Sequence, residues 1–116
     1  MPIELTATEA LGLWRRVSLE EVRGEAADLT LRQIAILLQI YLIPPPHTVR
    51  GLAETLGVTK PVITRALDRM GELGLVDRVR DDRDRRNVVI KRTVGGALYL
   101  EKLGDLIIRE ARRPAS

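Results

Sequence analysis

The sequence predicts a mainly α-helical chain with one small β-hairpin. Three observations lead there. Apolar residues recur at helical spacing through most of the chain, in runs opened by threonine and closed by glycine or proline. From Leu75 to Thr93 the pattern instead alternates, in the runs "LVDRVR" (75–80) and "NVVIKRT" (87–93). Between these runs stand six consecutive charges of both signs, Asp81 to Arg86, where a two-residue turn would connect the strands.

Thr6 and Glu9 have capping-box spacing, and Leu11, Trp14 and Val17 follow at three-residue steps, so a first helix is expected over 6–23, ended by Gly24. Thr30 and Gln33 repeat the signature ahead of Ile34, Leu37, Leu38 and Tyr41. This predicts a second, more buried helix to about Leu42, stopped by the stiff connector Pro44–Pro46. His47, after the prolines, is expected in an exposed loop. Thr48 opens a short helix with Leu52, Ala53 and Leu56 on one face and Gly57 as its stop. Thr59 then caps "KPVITRALDRMGELG", with Pro61 in the first turn, where its missing donor costs little. At about 100° per residue, Val62, Ile63, Ala66, Leu67 and Met70 share one arc, and Lys60, Thr64, Arg65, Asp68 and Arg69 share the other.

In the hairpin, pairing Arg80 with Asn87 places Leu75, Val79, Val88 and Ile90 on one side and Arg78, Arg80 and Lys91 on the other, with Asp77 the one charge on the apolar side. Thr93 caps a last helix over 94–113 whose stripe is Leu100, Leu103, Leu106 and Ile107. Gly95, Gly96 and Gly104 weaken it by roughly 1 kcal/mol each, so it needs a packing partner. The final "RPAS" is expected to fray.

A length of 116 residues with 45% hydrophobic content supports one domain with a modest core. The formal charge is +3, and Lys60–Arg92 holds ten basic residues against six acidic ones, so the whole positive excess lies in that stretch. Such a bias permits a nucleic-acid partner. The absence of cysteine excludes disulfides, thiolate metal sites and thiol sensing, and fits an intracellular compartment. Glu4 stands where a signal peptide would be basic or apolar, and the apolar run Ile34–Ile43 is about half a membrane span. A cytoplasmic protein without membrane attachment is expected.

Two short helices joined at Gly57–Val58, the second basic on its outer face and followed at once by a hairpin, have the order of a winged helix-turn-helix. A major groove about 12 Å wide admits one helix, whose N-terminal half meets the base edges. Lys60 and Arg65 suit guanine, Thr64 a base edge or thymine methyl, and Arg69 a phosphate. Thr59, at a helix start with free amides, is a phosphate site, and Thr48 joins the DNA-contacting set. Asp68 would repel phosphate if unpaired and is expected to be held by Arg78 or Arg80. Alone, the basic face would read as ordinary solvated surface; the order of elements turns it toward DNA.

Other chemistries find no support in the sequence. Asp81, Asp82 and Asp84 lack the glycine and distal glutamate of a calcium loop. No catalytic triad, phosphate loop or metal set can be assembled, so neither an enzyme nor a cofactor is expected. Trp14, Tyr41 and Tyr99 are isolated aromatics suited to core or dimer contacts.

The segment "TVRGLAETLGVTKPVITRALDRMGELGLVDRVRDDRDRRNVVIKRT" resembles the winged helix-turn-helix of the MarR family of bacterial transcriptional regulators, with "LTLRQIAIL" before it and "TVGGA" after it. The likeness covers Thr30 to Thr93 and is sharpest at Asp84, Arg85 and Arg86. It implies that the wing arginines Arg83, Arg85 and Arg86 approach DNA, with Arg86 entering the minor groove and Asp84 fixing its pose. It also implies a homodimer built from the terminal helices, here through Leu11, Trp14, Leu100, Leu103 and Ile107, that represses by covering a pseudo-palindromic operator. A small-molecule effector is left unspecified. The sequence ends about one helix earlier than a typical member, which leaves the usual interlocked dimer and its ligand pocket open. The competing expectation is a winged-helix protein-interaction module that uses the same basic surface on an acidic partner without specific DNA binding.

Overall fold

The computed structural model describes residues 3–114, so the fraying expected of Ala115 and Ser116 lies outside the described residues. The order is α1 (Ala7–Arg23), α2 (Leu31–Leu42), β1 (His47–Thr48), α3 (Val49–Leu56), α4 (Lys60–Glu72), β2 (Val76–Arg80), β3 (Val88–Arg92) and α5 (Val94–Ala111). The chain divides into two compact units, one of residues 29–100 and the other of the segments up to 28 and from 101 onward.

Unit 29–100 begins with the Thr30–Gln33 capping box, both of whose hydrogen bonds are present. Its core joins Ile36, Leu37 and Ile40 of α2 to Leu52 and Ala53 of α3, Ile63, Ala66, Leu67 and Met70 of α4, and Leu75, Val76 and Ile90 of the hairpin. The face α2 buries is therefore centred on Ile36, Leu37 and Ile40, while the expected Ile34, Leu38 and Tyr41 are half-buried. From Ile34 onward Gln39 alone interrupts the apolar and aromatic run of this helix, so periodicity alone could not orient it.

Two glycine turns aim the helices. Gly57 (φ 68°) and Gly74 (φ 73°) adopt the left-handed conformation that side chains disfavour. Around them Val58 N–H donates to Ala53 O and Leu75 N–H to Met70 O, at 3.0 and 2.9 Å, while each glycine N–H bonds three residues back. Both are Schellman closures, with apolar Val58 and Leu75 folding onto the helix just ended. One sets the turn between α3 and α4, the other the exit from α4 into β2.

The sheet has three strands in the order β1-β3-β2, all antiparallel. Its register differs by one residue from the expected pairing: Arg80 faces Val88, not Asn87. Asn87 belongs to the tip, where its carbonyl accepts from Asp81 N–H at 3.1 Å and its N–H donates to Asp84 O at 2.9 Å. A one-residue shift exchanges the two faces. Val76, Arg78 and Arg80 thus share a face with Val88 and Ile90, whereas Val79 lies on the outer face and is 45% exposed. Asp77 likewise stands on the outer face opposite Lys91, as a cross-strand pair of opposite charges, and not on the apolar side. β1, too short to show a period, was not expected. It pairs His47 with Ile90 and so carries His47 inward, contrary to the exposed loop expected. The histidine Nε2 donates to Ile43 O at 2.9 Å.

The hairpin is tied to α2 and to the start of α5. Arg92 donates from Nε to Ile40 O (2.9 Å) and from Nη2 to Ile43 O (3.0 Å), satisfying carbonyls that the end of α2 leaves free. Tyr41 Oη accepts from Thr93 N–H and donates to Leu75 O, both at 2.8 Å. Thr93 caps α5 as expected, accepting from Gly96 N–H at 3.0 Å. The glycines read as helix-weakening have a use here: a Cβ on Gly96 would collide with Tyr41 Oη and Leu75 O, and one on Gly95 would come within 2.8 Å of Gly74 O.

In the other unit, the Thr6–Glu9 capping box opens α1. Hydrogen bonds from the Thr6 amide and hydroxyl hold the Glu9 carboxyl below its ordinary range, so this cap is complete above that range and weakens as acid protonates it. Val17 and Leu103 are buried, whereas Leu11 and Trp14 are 69% and 52% exposed. Glu110, only 1% exposed, is ringed by Arg16, Arg109 and Arg113 at 3.5, 3.3 and 3.1 Å, and Arg16 also donates to its carbonyl. A buried carboxylate is retained only with such partners. Among the described residues no helix is long and apolar enough to cross a membrane.

Gly96→Ala is expected to destabilise the protein by about 1–3 kcal/mol in urea unfolding, because the methyl must displace Tyr41 or the Leu75 carbonyl. Gly104→Ala, where a Cβ meets nothing within 4 Å, is expected to be stabilising by up to about 1 kcal/mol.

Candidate nucleic-acid interface

α4 divides as its sequence requires. Ile63, Ala66, Leu67 and Met70 are buried and Val62 is half-buried, while Lys60, Thr64, Arg65, Asp68 and Arg69 are all exposed. The outward face therefore presents two cations and a threonine within the first two turns. Among the described residues neither Lys60 nor Arg65 has an ion-pair partner, so their charge is available to a ligand. Arg69 lies 3.6 Å from Glu72 one turn on, a surface pair of small worth.

The two threonines differ. Thr48 Oγ1 caps α3 by accepting from Gly51 N–H at 3.0 Å and is half-buried. Thr59 stands at the N-cap of α4 with backbone geometry for the role, but its side chain makes no cap hydrogen bond. Its exposed hydroxyl is left for another acceptor or donor.

Asp68, the anion in this basic face, is held by Arg78: Nη2 to Oδ1 is 2.7 Å. The register explains why Arg78 is the partner, since it lies on the face of β2 that carries Val76, and that face turns toward α4. The pair neutralises the carboxylate and ties α4 to the first strand of the hairpin.

Beyond Arg80 the charged tip is ordered by its own side chains. Asp81 Oδ1 accepts from Arg83 N–H at 2.9 Å, and Asp84 Oδ1 accepts from Arg86 N–H at 3.1 Å and Arg86 Nε at 3.3 Å. Such aspartate-to-backbone bonds two residues on build turns. Arg86 stays 93% exposed although paired, so the carboxylate steers it without covering it. Among the described residues the Arg83 and Arg85 side chains have no ion-pair partner. Arg80 Nη1 donates to Arg85 O at 2.7 Å, a bond the sequence did not disclose, because a guanidinium-to-carbonyl contact leaves no pattern.

The structure thus brings Lys60, Thr64, Arg65 and Arg69 together on α4 and Arg83 to Arg86 together on the wing. Of the residues assigned to dimerisation, Leu103 is buried, Leu100 is half-buried against the core of unit 29–100, and Leu11, Trp14 and Ile107 are exposed.

A sequence model of the MarR family matches residues 27–87. The chain is similar to the crystal structure of a mutant MarR from E. coli complexed with operator DNA, with 29% identity and a TM-score of 0.68 over 85% of this chain. It spans 65% of that relative, just under two-thirds of its length. The transcriptional regulator BldR from Sulfolobus solfataricus is 28% identical with a TM-score of 0.63, over 88% of this chain and 73% of that one. A mutant of MepR from S. aureus, at 21% identity and a TM-score of 0.72 over 91% of this chain and 79% of that one, is a likeness of fold alone.

The half-exposed Asp68–Arg78 pair is expected to contribute about 0.2–1 kcal/mol, measured as the coupling in a double-mutant cycle of Asp68→Asn and Arg78→Gln by urea unfolding. The coupling is expected to shrink in molar salt.

Proposed function

Because the chain belongs to the MarR family, we propose that it is a sequence-specific regulator of transcription that binds double-stranded DNA. The observation that carries this reading is the pairing of an exposed cationic face on α4 with a charged hairpin tip, the two fastened together by Asp68–Arg78. A groove-reading helix and a wing act as one body only if their relative position is set in advance. That economy of ordering favours binding.

In this account the N-terminal half of α4 lies in the major groove. Arg65 and Lys60 donate to guanine O6 and N7, Thr64 touches a base edge or thymine methyl, and Arg69 and the free Thr59 hydroxyl meet phosphates. The wing reaches the adjoining minor groove, where Arg86, aimed by Asp84 and flanked by Arg83 and Arg85, answers the enhanced negative potential of a narrow groove. Thr48 shapes the start of α3, which crosses the backbone. Counterion release from the basic side chains supplies much of the affinity.

The protein acts as a homodimer on a pseudo-palindromic site and represses by occupying a promoter. The exposed Leu11, Trp14 and Ile107 on the terminal helices support self-association, since large apolar side chains left in solvent gain by burial against a second copy. No cofactor and no enzymatic step enter this scheme.

Selecting the protein against randomised duplexes is expected to recover a pseudo-palindrome with half-sites about one helical turn apart. Recovery of nothing above background would support the interaction module instead. Arg65→Ala is expected to relax base preference at one position of each half-site at a cost of about 1–3 kcal/mol. Arg86→Ala is expected to weaken binding to most sequences and to flatten the salt dependence. Equal, sequence-independent losses from both would contradict the assigned roles.

A further inference from the structure

The geometry points to Arg80 as a positioning residue for the wing arginine, acting through the peptide group between Arg85 and Arg86. This inference rests on the DNA-binding reading above. That peptide group is held at both of its polar ends. Its carbonyl oxygen accepts from Arg80 Nη1 at 2.7 Å, and its N–H donates to Asp84 Oδ1 at 3.1 Å. Fixing the plane of one peptide group restricts ψ of the residue before it and φ of the residue after it. The two rotations restricted here set the direction in which the Arg86 side chain leaves the backbone. Asp84 alone would leave the plane free to pivot about its N–H end; the guanidinium at the other end removes that freedom.

Arg80 is suited to the task by position and by chemistry. It is the last residue of β2 and is paired with Val88, so its backbone is anchored in the sheet while its side chain reaches across the tip. The register also places it on the same face as Arg78, whose guanidinium engages Asp68. The two arginines divide the work, Arg78 fastening the base of the wing to α4 and Arg80 ordering its end. A hydrogen bond from a charged donor is about twice as strong as a neutral one, and this one closes a loop of exposed backbone that has no core beneath it. The positive charge of Arg80 is directed at a backbone dipole, so Arg80 contributes geometry to the interface and not a phosphate contact.

The test is a double-mutant cycle read in two ways on the full chain. In the free protein, Arg80→Ala is expected to lower the NMR order parameter of the Arg86 amide and speed its hydrogen exchange, with the amides of α4 unchanged. An Arg86 amide as ordered as in the parent would overturn the clamp, whether or not DNA binds. With duplex DNA, Arg80→Ala is expected to weaken binding by about tenfold with the salt slope unchanged, and to have no further effect once Arg86 is alanine. Additive losses, with a slope reduced by about one, would make Arg80 a phosphate contact and overturn the proposal. An Arg86→Ala variant that binds as the parent does would overturn it too. If the parent chain binds no duplex, the DNA-binding reading fails while the NMR arm still decides the clamp.

Discussion

The register of β2 against β3, which sets Arg80 opposite Val88, is the constraint on which the rest of unit 29–100 depends. Strands with a period of two place every side chain by one choice. In the register found, Val76 and Ile90 enter the core, Arg78 meets Asp68 and Arg80 turns toward the tip. Sliding the pairing by one residue would expose Val76, bury Asp77 and leave Asp68 as an unpaired anion on a basic helix face. β1 depends on the same choice, because His47 is carried inward by pairing with Ile90. Burial of the two apolar residues, each worth about 1.5–3 kcal/mol, is large compared with the polar contacts that follow from it. Hydrophobic burial therefore chooses the register, and the charge contacts are its consequences.

A second layer of order concerns the ends of elements. Backbone groups left unpaired at the ends of elements are taken up here by side chains of the same unit: Arg92 on carbonyls at the end of α2, Thr93 on an amide at the start of α5, and Tyr41 on Leu75 O before β2 and Thr93 N–H after β3. Two Schellman turns at Gly57 and Gly74 finish α3 and α4. The exception is the start of α4, where Thr59 leaves its hydroxyl uncommitted. Structural satisfaction elsewhere and availability at α4 are what a helix directed at a polyanion requires. The wing is organised differently, having no core beneath it. It is ordered by carboxylates accepting from backbone amides and by a guanidinium on a carbonyl, which fix the chain and leave the Arg86 side chain in solvent.

Much of this was legible from the residues. Both capping boxes, the stop at Gly57 and the split of α4 into an apolar and a charged face follow from short-range rules, in which spacing of a few residues determines the contact; the Asp68 pairing follows from the cost of an unpaired anion on a basic face, and the Asp84–Arg86 contact from the family resemblance. The failures share a different cause. The register differs by one residue from the expected pairing because the turn inside the tip, closed by Asn87 on Asp84, cannot be counted from alternation alone. β1 and the burial of His47 depend on a partner strand more than forty positions away in the chain. The buried face of α2 differs from the expected one because Gln39 alone interrupts its apolar and aromatic run from Ile34 onward. The close packing at Gly95 and Gly96, read as weakness, is set by Tyr41 and the Gly74–Leu75 backbone. Glu110, buried among three arginines, looks in sequence like one more charge on a helix end.

The central claim is that α4 and the wing engage one duplex together. An isotope-labelled NMR titration of the full chain with a mixed-sequence DNA duplex tests it most directly. The account predicts that the amides of Lys60 to Arg69 and of Asp81 to Asn87 shift along one shared binding curve, while those of α2 stay in place. Shifts confined to one of the two segments, or absent from both, would contradict it.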